Sequence, residues 1–153
     1  MRTVVPIEEQ LNSRRTFVAT AVALITAARH APARAQAAPR QPELRWYEAA
    51  AEMRRLAESW GDQSYGAVLV IEGSLVGQGP SRVVKNQNPD AHAEREAIRD
   101  AQSKLGRQRL LGAVLYSTSR PCNLCEAAAA QAGVSRMYFG PSLIDAGIPG
   151  QAR

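Results

Sequence analysis

Two polar clusters interrupt a run of otherwise apolar segments, and they constrain the fold more than anything else in the chain. His92-Ala93-Glu94 heads one helix-length segment; Cys122 and Cys125 head another, directly after Pro121. Short apolar runs lie around them. A helix is predicted over Leu44 to Trp60, with Leu44, Tyr47, Ala51, Leu56 and Trp60 as its apolar stripe and Gly61-Asp62 as its end. Ala67 to Ile71 reads as a strand, Glu72-Gly73-Ser74 as a turn and Leu75 to Gly77 as the start of a second strand, which makes a hairpin. Residues 80–91 read as loop. Ala93 to about Leu105 reads as a helix with Ala97, Ile98, Ala101 and Leu105 on one side, stopped by Gly106. Leu110 to Tyr116 is a third strand, Asn123 to Gln131 a third helix ending at Gly133, and Ser135 to Phe139 a fourth strand. Pro121 suits a helix start, where its missing N–H is no loss. This order predicts an α/β domain in which helices cover a sheet. The tail beyond Phe139 has room for at most one short element.

The first 37 residues read as a leader, not as part of that domain. Ser13-Arg14-Arg15-Thr16-Phe17 precedes an apolar run from Val18 to Ala28, and Ala35-Gln36-Ala37 offers small residues for cleavage. The paired arginines resemble a twin-arginine signal, which implies the twin-arginine export machinery as a partner and a periplasmic or secreted location. A disordered or membrane-anchored N-terminal helix, with a cytoplasmic protein, is the alternative. The apolar run is short for a bilayer span, so no stable membrane insertion is expected after cleavage near Ala37. Residues 38–43 form a loose arm, and residues 44–153 form the expected domain. The chain's +5 net charge is concentrated in the leader, whose five Arg and two acidic residues leave +2 for the remainder. Such a body is not a strongly basic nucleic-acid binder by composition.

The two clusters together suggest a metal. Two thiolates and an imidazole are good zinc ligands and leave one tetrahedral position open. The spacing of Cys122 and Cys125 puts both sulfurs on one side of a first helical turn, where the helix dipole is expected to lower thiol pKa. Glu94 is two residues from His92, close enough to reach the same cavity without occupying the metal. Water in the open position would be activated by Zn2+, and Glu94 is placed to move its protons. Taken alone, the cysteine pair equally suits a disulfide or a redox pair, and His92 a surface residue.

The joint pattern His-x-Glu with Pro-Cys-x-x-Cys is the signature of zinc-dependent base deaminases. Around it the chain resembles the cytidine/deoxycytidylate deaminase superfamily, in the branch of guanine deaminases and tRNA adenosine deaminases. The resemblance runs through Tyr65-Gly66-Ala67-Val68-Leu69-Val70, Asn88-Pro89-Asp90-Ala91-His92-Ala93-Glu94, Ala97-Ile98-Arg99, Pro121-Cys122-Asn123-Leu124-Cys125 and Met137-Tyr138-Phe139-Gly140. It implies His92, Cys122 and Cys125 as zinc ligands, Glu94 as proton shuttle and the Ala91 backbone as a contact to the base. The fold it implies is a cytidine deaminase-like three-layer α/β/α sandwich with a mixed five-stranded sheet, in a homodimer or higher homo-oligomer.

Three departures bear on substrate. Ser81 stands where many members of the family place a substrate-binding Asn, and it lacks the amide's paired donor and acceptor. Arg120 replaces a common Glu before Pro121; it could meet a phosphate or carboxylate, or simply be solvated. The C-terminus is short, which leaves one side open, filled by a stub at Leu143 to Ile148, or covered by a partner. Trp46, Trp60, Tyr47 and Tyr65 could stack on a ring, although the spacing of Tyr47 and Trp60 suits a core. An exported protein would not meet tRNA, so a free nucleobase, nucleoside or small amino-heterocycle is expected. A tRNA or single-stranded nucleic-acid deaminase and a catalytically inactive zinc-stabilised binding protein are the alternatives.

Overall fold

The computed structural model describes residues 42–150. The expected leader and most of the loose arm lie outside them. The elements are α1 (Leu44–Ser59), β1 (Gly66–Ile71), β2 (Ser74–Pro80), α2 (Ala93–Leu105), β3 (Val114–Ser117), α3 (Asn123–Ala132), β4 (Arg136–Phe139) and β5 (Ile144–Gly147). The five strands form one sheet in the order β2-β1-β3-β4-β5. Only β3 and β4 run parallel, joined by the α3 crossover; the other neighbours are antiparallel, so the sheet is mixed as expected. Glu72 and Gly73, both with positive φ, form the two-residue turn of the β1–β2 hairpin. β5 is the one short element that the tail has room for.

Strand alternation separates two cores. Leu69, Leu115 and Met137 face Ile98 and Ala101 of α2 and Ala129 and Ala132 of α3. Val68, Val70, Tyr116 and Tyr138 face Ala50 of α1, with Trp46, Ala49 and Met53 packed alongside. One helix therefore covers one face of the sheet and two cover the other, giving the three-layer arrangement.

Helix and sheet meet closely because the contact residues are small. A Cβ on Gly66 would overlap the Ala50 carbonyl and the Arg54 amide of α1. On Gly79 it would overlap the Ala93 carbonyl and the Ala97 amide of α2, and on Gly77 the Ala97 carbonyl and the Ala101 side chain. The α2 backbone thus rests directly on β2, and this contact sets the position of the segment that begins at His92.

Four sequence expectations need correction. The buried face of α1 is Ala50, Ala51 and Ala57, while Leu44 and Leu56 are exposed, because close approach to Gly66 admits only small side chains. Leu105 is likewise exposed at the end of α2. The third strand starts at Val114, not Leu110. Leu110 is fully buried, but its N–H donates to the Ala132 carbonyl and its carbonyl accepts from Ala113, so it belongs to a turn under α3. β2 also continues through Pro80, and the loop begins at Ser81.

Candidate metal centre

His92 is the N-cap of α2 and Cys122 the N-cap of α3, both with extended backbone and neither using its side chain to cap. Their carbonyls start the helices by accepting from the Glu96 and Glu126 N–H groups, each at 2.9 Å. Their side chains turn toward one another. Cys125, one turn into α3, completes a triangle: each sulfur lies 3.5–3.6 Å from His92 Nδ1, and the sulfurs are 3.5 Å apart. Zinc bonds of about 2.3 Å to sulfur and 2.0–2.1 Å to nitrogen require tetrahedral edges of about 3.6–3.8 Å. The donor set and its spacing fit Zn2+. A disulfide needs sulfurs at about 2.05 Å, so the cysteines stand here as separate thiols.

Glu94 is 6% exposed, and its Oε2 accepts from the Cys125 thiol at 3.5 Å. Burial raises the Glu94 carboxyl above the ordinary range, against the pull of its own N–H, the Cys125 thiol and the His92 ring. Burial also pushes the Cys125 thiol up, and Glu94 and Cys122 add to the rise. The expected dipole effect is therefore outweighed at Cys125 by desolvation and like charge. A divalent cation among the three donors is the group that would reverse this balance.

The loops before the ligands are pinned. Asn88 Oδ1 accepts the Asp90 N–H at 2.9 Å, and Asp90 Oδ1 accepts from Arg95 at 2.7 Å. On the other side, Thr118 Oγ1 accepts the Gly66 N–H at 3.1 Å while the Thr118 N–H donates to the Gly66 carbonyl at 2.9 Å, which ties the chain leading to Cys122 to the start of β1. Nothing in the sequence singled out Thr118, since the pairing joins residues 52 apart.

The substrate-side candidates fare differently. Ser81 is fully buried, and its hydroxyl donates to Asp62 Oδ1 at 2.8 Å, so its donor is committed to the fold. The Ala91 N–H donates to the Asn88 carbonyl at 3.0 Å and the Ala91 carbonyl accepts from Arg82 N–H at 2.9 Å, so its donor too is engaged within the loop. Arg120 is exposed, with no hydrogen bond or ion pair to other described residues. Tyr65 is exposed, and Trp46, Tyr47 and Trp60 are partly buried. Trp60 is not core: Lys85 Nζ lies 3.6 Å and the Arg82 guanidinium carbon 5.2 Å from its ring centroid. Asp62, which the sequence showed only as a helix end, accepts four hydrogen bonds.

Residues 40–141 match the cytidine and deoxycytidylate deaminase zinc-binding region. The chain belongs to this family. Among curated deaminases of the family, a tRNA-specific adenosine deaminase of Bacillus subtilis is 39% identical over 100 residues, covering 65% of this chain and 62% of that protein. A guanine deaminase of Bacillus subtilis is 34% identical over 86 residues, covering 56% and 55%. A solved structure from a study of A-to-I editing by tRNA:A34 deaminases is 37% identical, with a TM-score of 0.62 over 64% of this chain and 71% of that one. The chain spans about half to two thirds of the length of the curated relatives it matches. The cytidine deaminase-like fold and the zinc-binding cluster are thus features shared with deaminases.

Proposed function

We propose that the chain is a hydrolytic deaminase that replaces the exocyclic amino group of a free nucleobase, nucleoside or small amino-heterocycle with oxygen. The observation that carries this reading is the Glu94 carboxylate, buried beside a cluster that holds three ligand atoms among the described residues. Structural zinc sites use four protein ligands, whereas three ligands with an adjacent acid or base suit catalysis. His92, Cys122 and Cys125 would hold the zinc. When bound, it supplies Lewis acidity and lets water act as a nucleophile near neutral pH. Glu94 Oε2 takes a proton from the attacking water and gives it to the ring nitrogen beside the reacting carbon. A second transfer through the same oxygen lets the amine leave as ammonia.

The relatives do not choose among substrates, since they include deaminases of tRNA and of guanine. A small substrate is supported by the modest charge of residues 38–153 and by the export signal read in residues 1–37. Export through the twin-arginine machinery belongs to this proposal, as does a homo-oligomer. One observation favours the polynucleotide reading: Arg120 is exposed two residues before Cys122 and has no partner among the described residues, which would suit it to meet a phosphate.

An ammonia-release screen decides. It covers bases, nucleosides, nucleotides and an anticodon stem-loop RNA, with Glu94→Gln as control. Turnover on a small compound, reduced at least about 100-fold in the variant while zinc content is kept, is expected. Equal ammonia release by both proteins on every compound overturns the enzyme reading, and turnover confined to RNA overturns the small-substrate reading.

A further inference from the structure

Residues 81–91 form a closed loop. The Arg82 N–H donates to the Ala91 carbonyl at 2.9 Å, so the loop ends meet immediately before His92. Inside it, Asn86 N–H donates to the Arg82 carbonyl, Gln87 to Val84 and Asn88 to Val83. These bonds make a helix-like turn whose leading N–H groups, those of Val84 and Lys85, have no acceptor within the loop. Such leading amides need an acceptor from outside.

Asp62 supplies it. Its Oδ2 accepts Val84 N–H at 3.0 Å and Lys85 N–H at 2.8 Å; its Oδ1 accepts Ser81 Oγ at 2.8 Å and Gln63 N–H at 2.7 Å. One carboxylate from the α1–β1 connection therefore caps a turn 20 residues later in the chain, with two donors on each oxygen. Trp60 holds the same turn from the same side through the Lys85 and Arg82 cations. Arg82 Nε also reaches Glu96 of α2 at 3.7 Å, which links the turn to the helix that His92 begins.

We infer that Asp62 is a positioning residue for the metal centre: by capping the 82–88 turn it fixes Arg82, and through the Arg82–Ala91 bond it sets where His92 presents its ring. This rests on His92 being a metal ligand, as in the proposed function. Asp62 itself touches neither the metal donors nor the substrate in this reading. Its effect passes through the main chain at Ala91. An acceptor with two equivalent oxygens is needed, because all four partners are donors. An amide of the same shape turns its own NH2 against at least one main-chain N–H.

The test uses the full chain as Asp62→Asn and Ser81→Ala, beside wild type. Zinc affinity is measured by competition with a chromogenic chelator. Cobalt replaces zinc for the visible ligand-field bands, and urea unfolding in excess chelator gives the stability of the metal-free protein. Asp62→Asn is expected to weaken zinc about ten-fold and to shift the cobalt bands, as outer groups that orient a ligand do. Ser81→Ala, which removes one donor of four, is expected to weaken it measurably but by less. Lower urea stability with zinc affinity and cobalt bands unchanged would reduce Asp62 to a strut and overturn the inference. If Asp62→Asn does not fold, Ser81→Ala decides: unchanged affinity and bands overturn the inference, and a fall supports it. These readouts need no substrate. A wild type that binds zinc and responds to the variants but releases no ammonia sinks the proposed function alone.

Discussion

Burial makes both Cys125 and Glu94 harder to ionise, and the Glu94 charge adds to the rise at Cys125. Both are buried and 3.5 Å apart, the thiol donating to the carboxylate. Zinc bound among the three donors would relieve both, so its binding energy becomes folding energy. Cys125→Ala separates the two contributions. In excess chelator it should cost about 1 kcal/mol, the loss of one small buried group. In zinc at about a thousand times the dissociation constant the gap should widen to about 4–5 kcal/mol, since wild type gains about 4 kcal/mol from the ligand and the variant does not. Urea melts with and without zinc check this, and equal gaps would count against Cys125 as a ligand. At this scale the sequence was legible where chemistry resides in residue type: His92, Glu94, Cys122 and Cys125 meet in one cluster as their spacing suggests. It was not legible where a role depends on main-chain pairing. The Ser81 hydroxyl and the Ala91 N–H are engaged by Asp62 and Asn88, partners that only the folded loop brings near.

α2 owes its place to what β2 lacks. Gly77 and Gly79 present no side chain to the helix, and Ala93, Ala97 and Ala101 present almost none back. Gly79→Ala would drive a methyl group into the Ala93 carbonyl, next to both His92 and Glu94. The expected cost is about 3 kcal/mol, at the upper end of overpacking effects, because the neighbour is backbone and cannot rotate away. Zinc affinity should fall with it. The control is Gly112→Ala, where a Cβ would meet nothing within 4 Å, although positive φ adds some backbone strain. Chemical denaturation of both variants checks the order; equal losses would mean that the close contact is not what matters. The bounds of α2 were readable because His92 precedes its alanine row and Gly106 ends it. The start of β3 was not, because Leu110 continues the apolar run although its backbone has already paired with Ala132. The face of α1 was misread for a related reason. Its large apolar residues are not the buried ones, since proximity to Gly66 reverses the usual preference for bulk.

Across the whole molecule, the loop end of the sheet depends on one partly buried carboxylate, and this gives stability a direction in pH. Burial opposes ionisation of Asp62, but hydrogen bonds from Lys85, Ser81, Gln63 and Val84 outweigh it and hold the carboxyl below its usual range. A group depressed in the folded state contributes stability above its unfolded pKa, about 3.9 for Asp. That contribution is lost as pH falls through the lower folded value. Asp62→Asn should therefore cost about 1–2 kcal/mol at pH 7, the scale of a lost helix cap, and the gap to wild type should narrow below about pH 4. Metal-free protein in chelator, unfolded with urea between pH 7 and pH 2.5, checks this without interference from zinc release. A gap that stays constant to the lowest pH would show that the carboxylate's charge is not what holds the loop.

The resting of α2 on β2 has a consequence for how this protein can change. Where helix meets strand through main-chain atoms, no intervening side chain is left to vary, so substitutions on the outer faces leave the height of His92 above the sheet as it is. Exposed residues such as Arg120 can then diverge while the contact beneath His92 stays put. The surface of such a scaffold is free to change as long as two glycines remain glycine and the Asp62-capped loop keeps its cap.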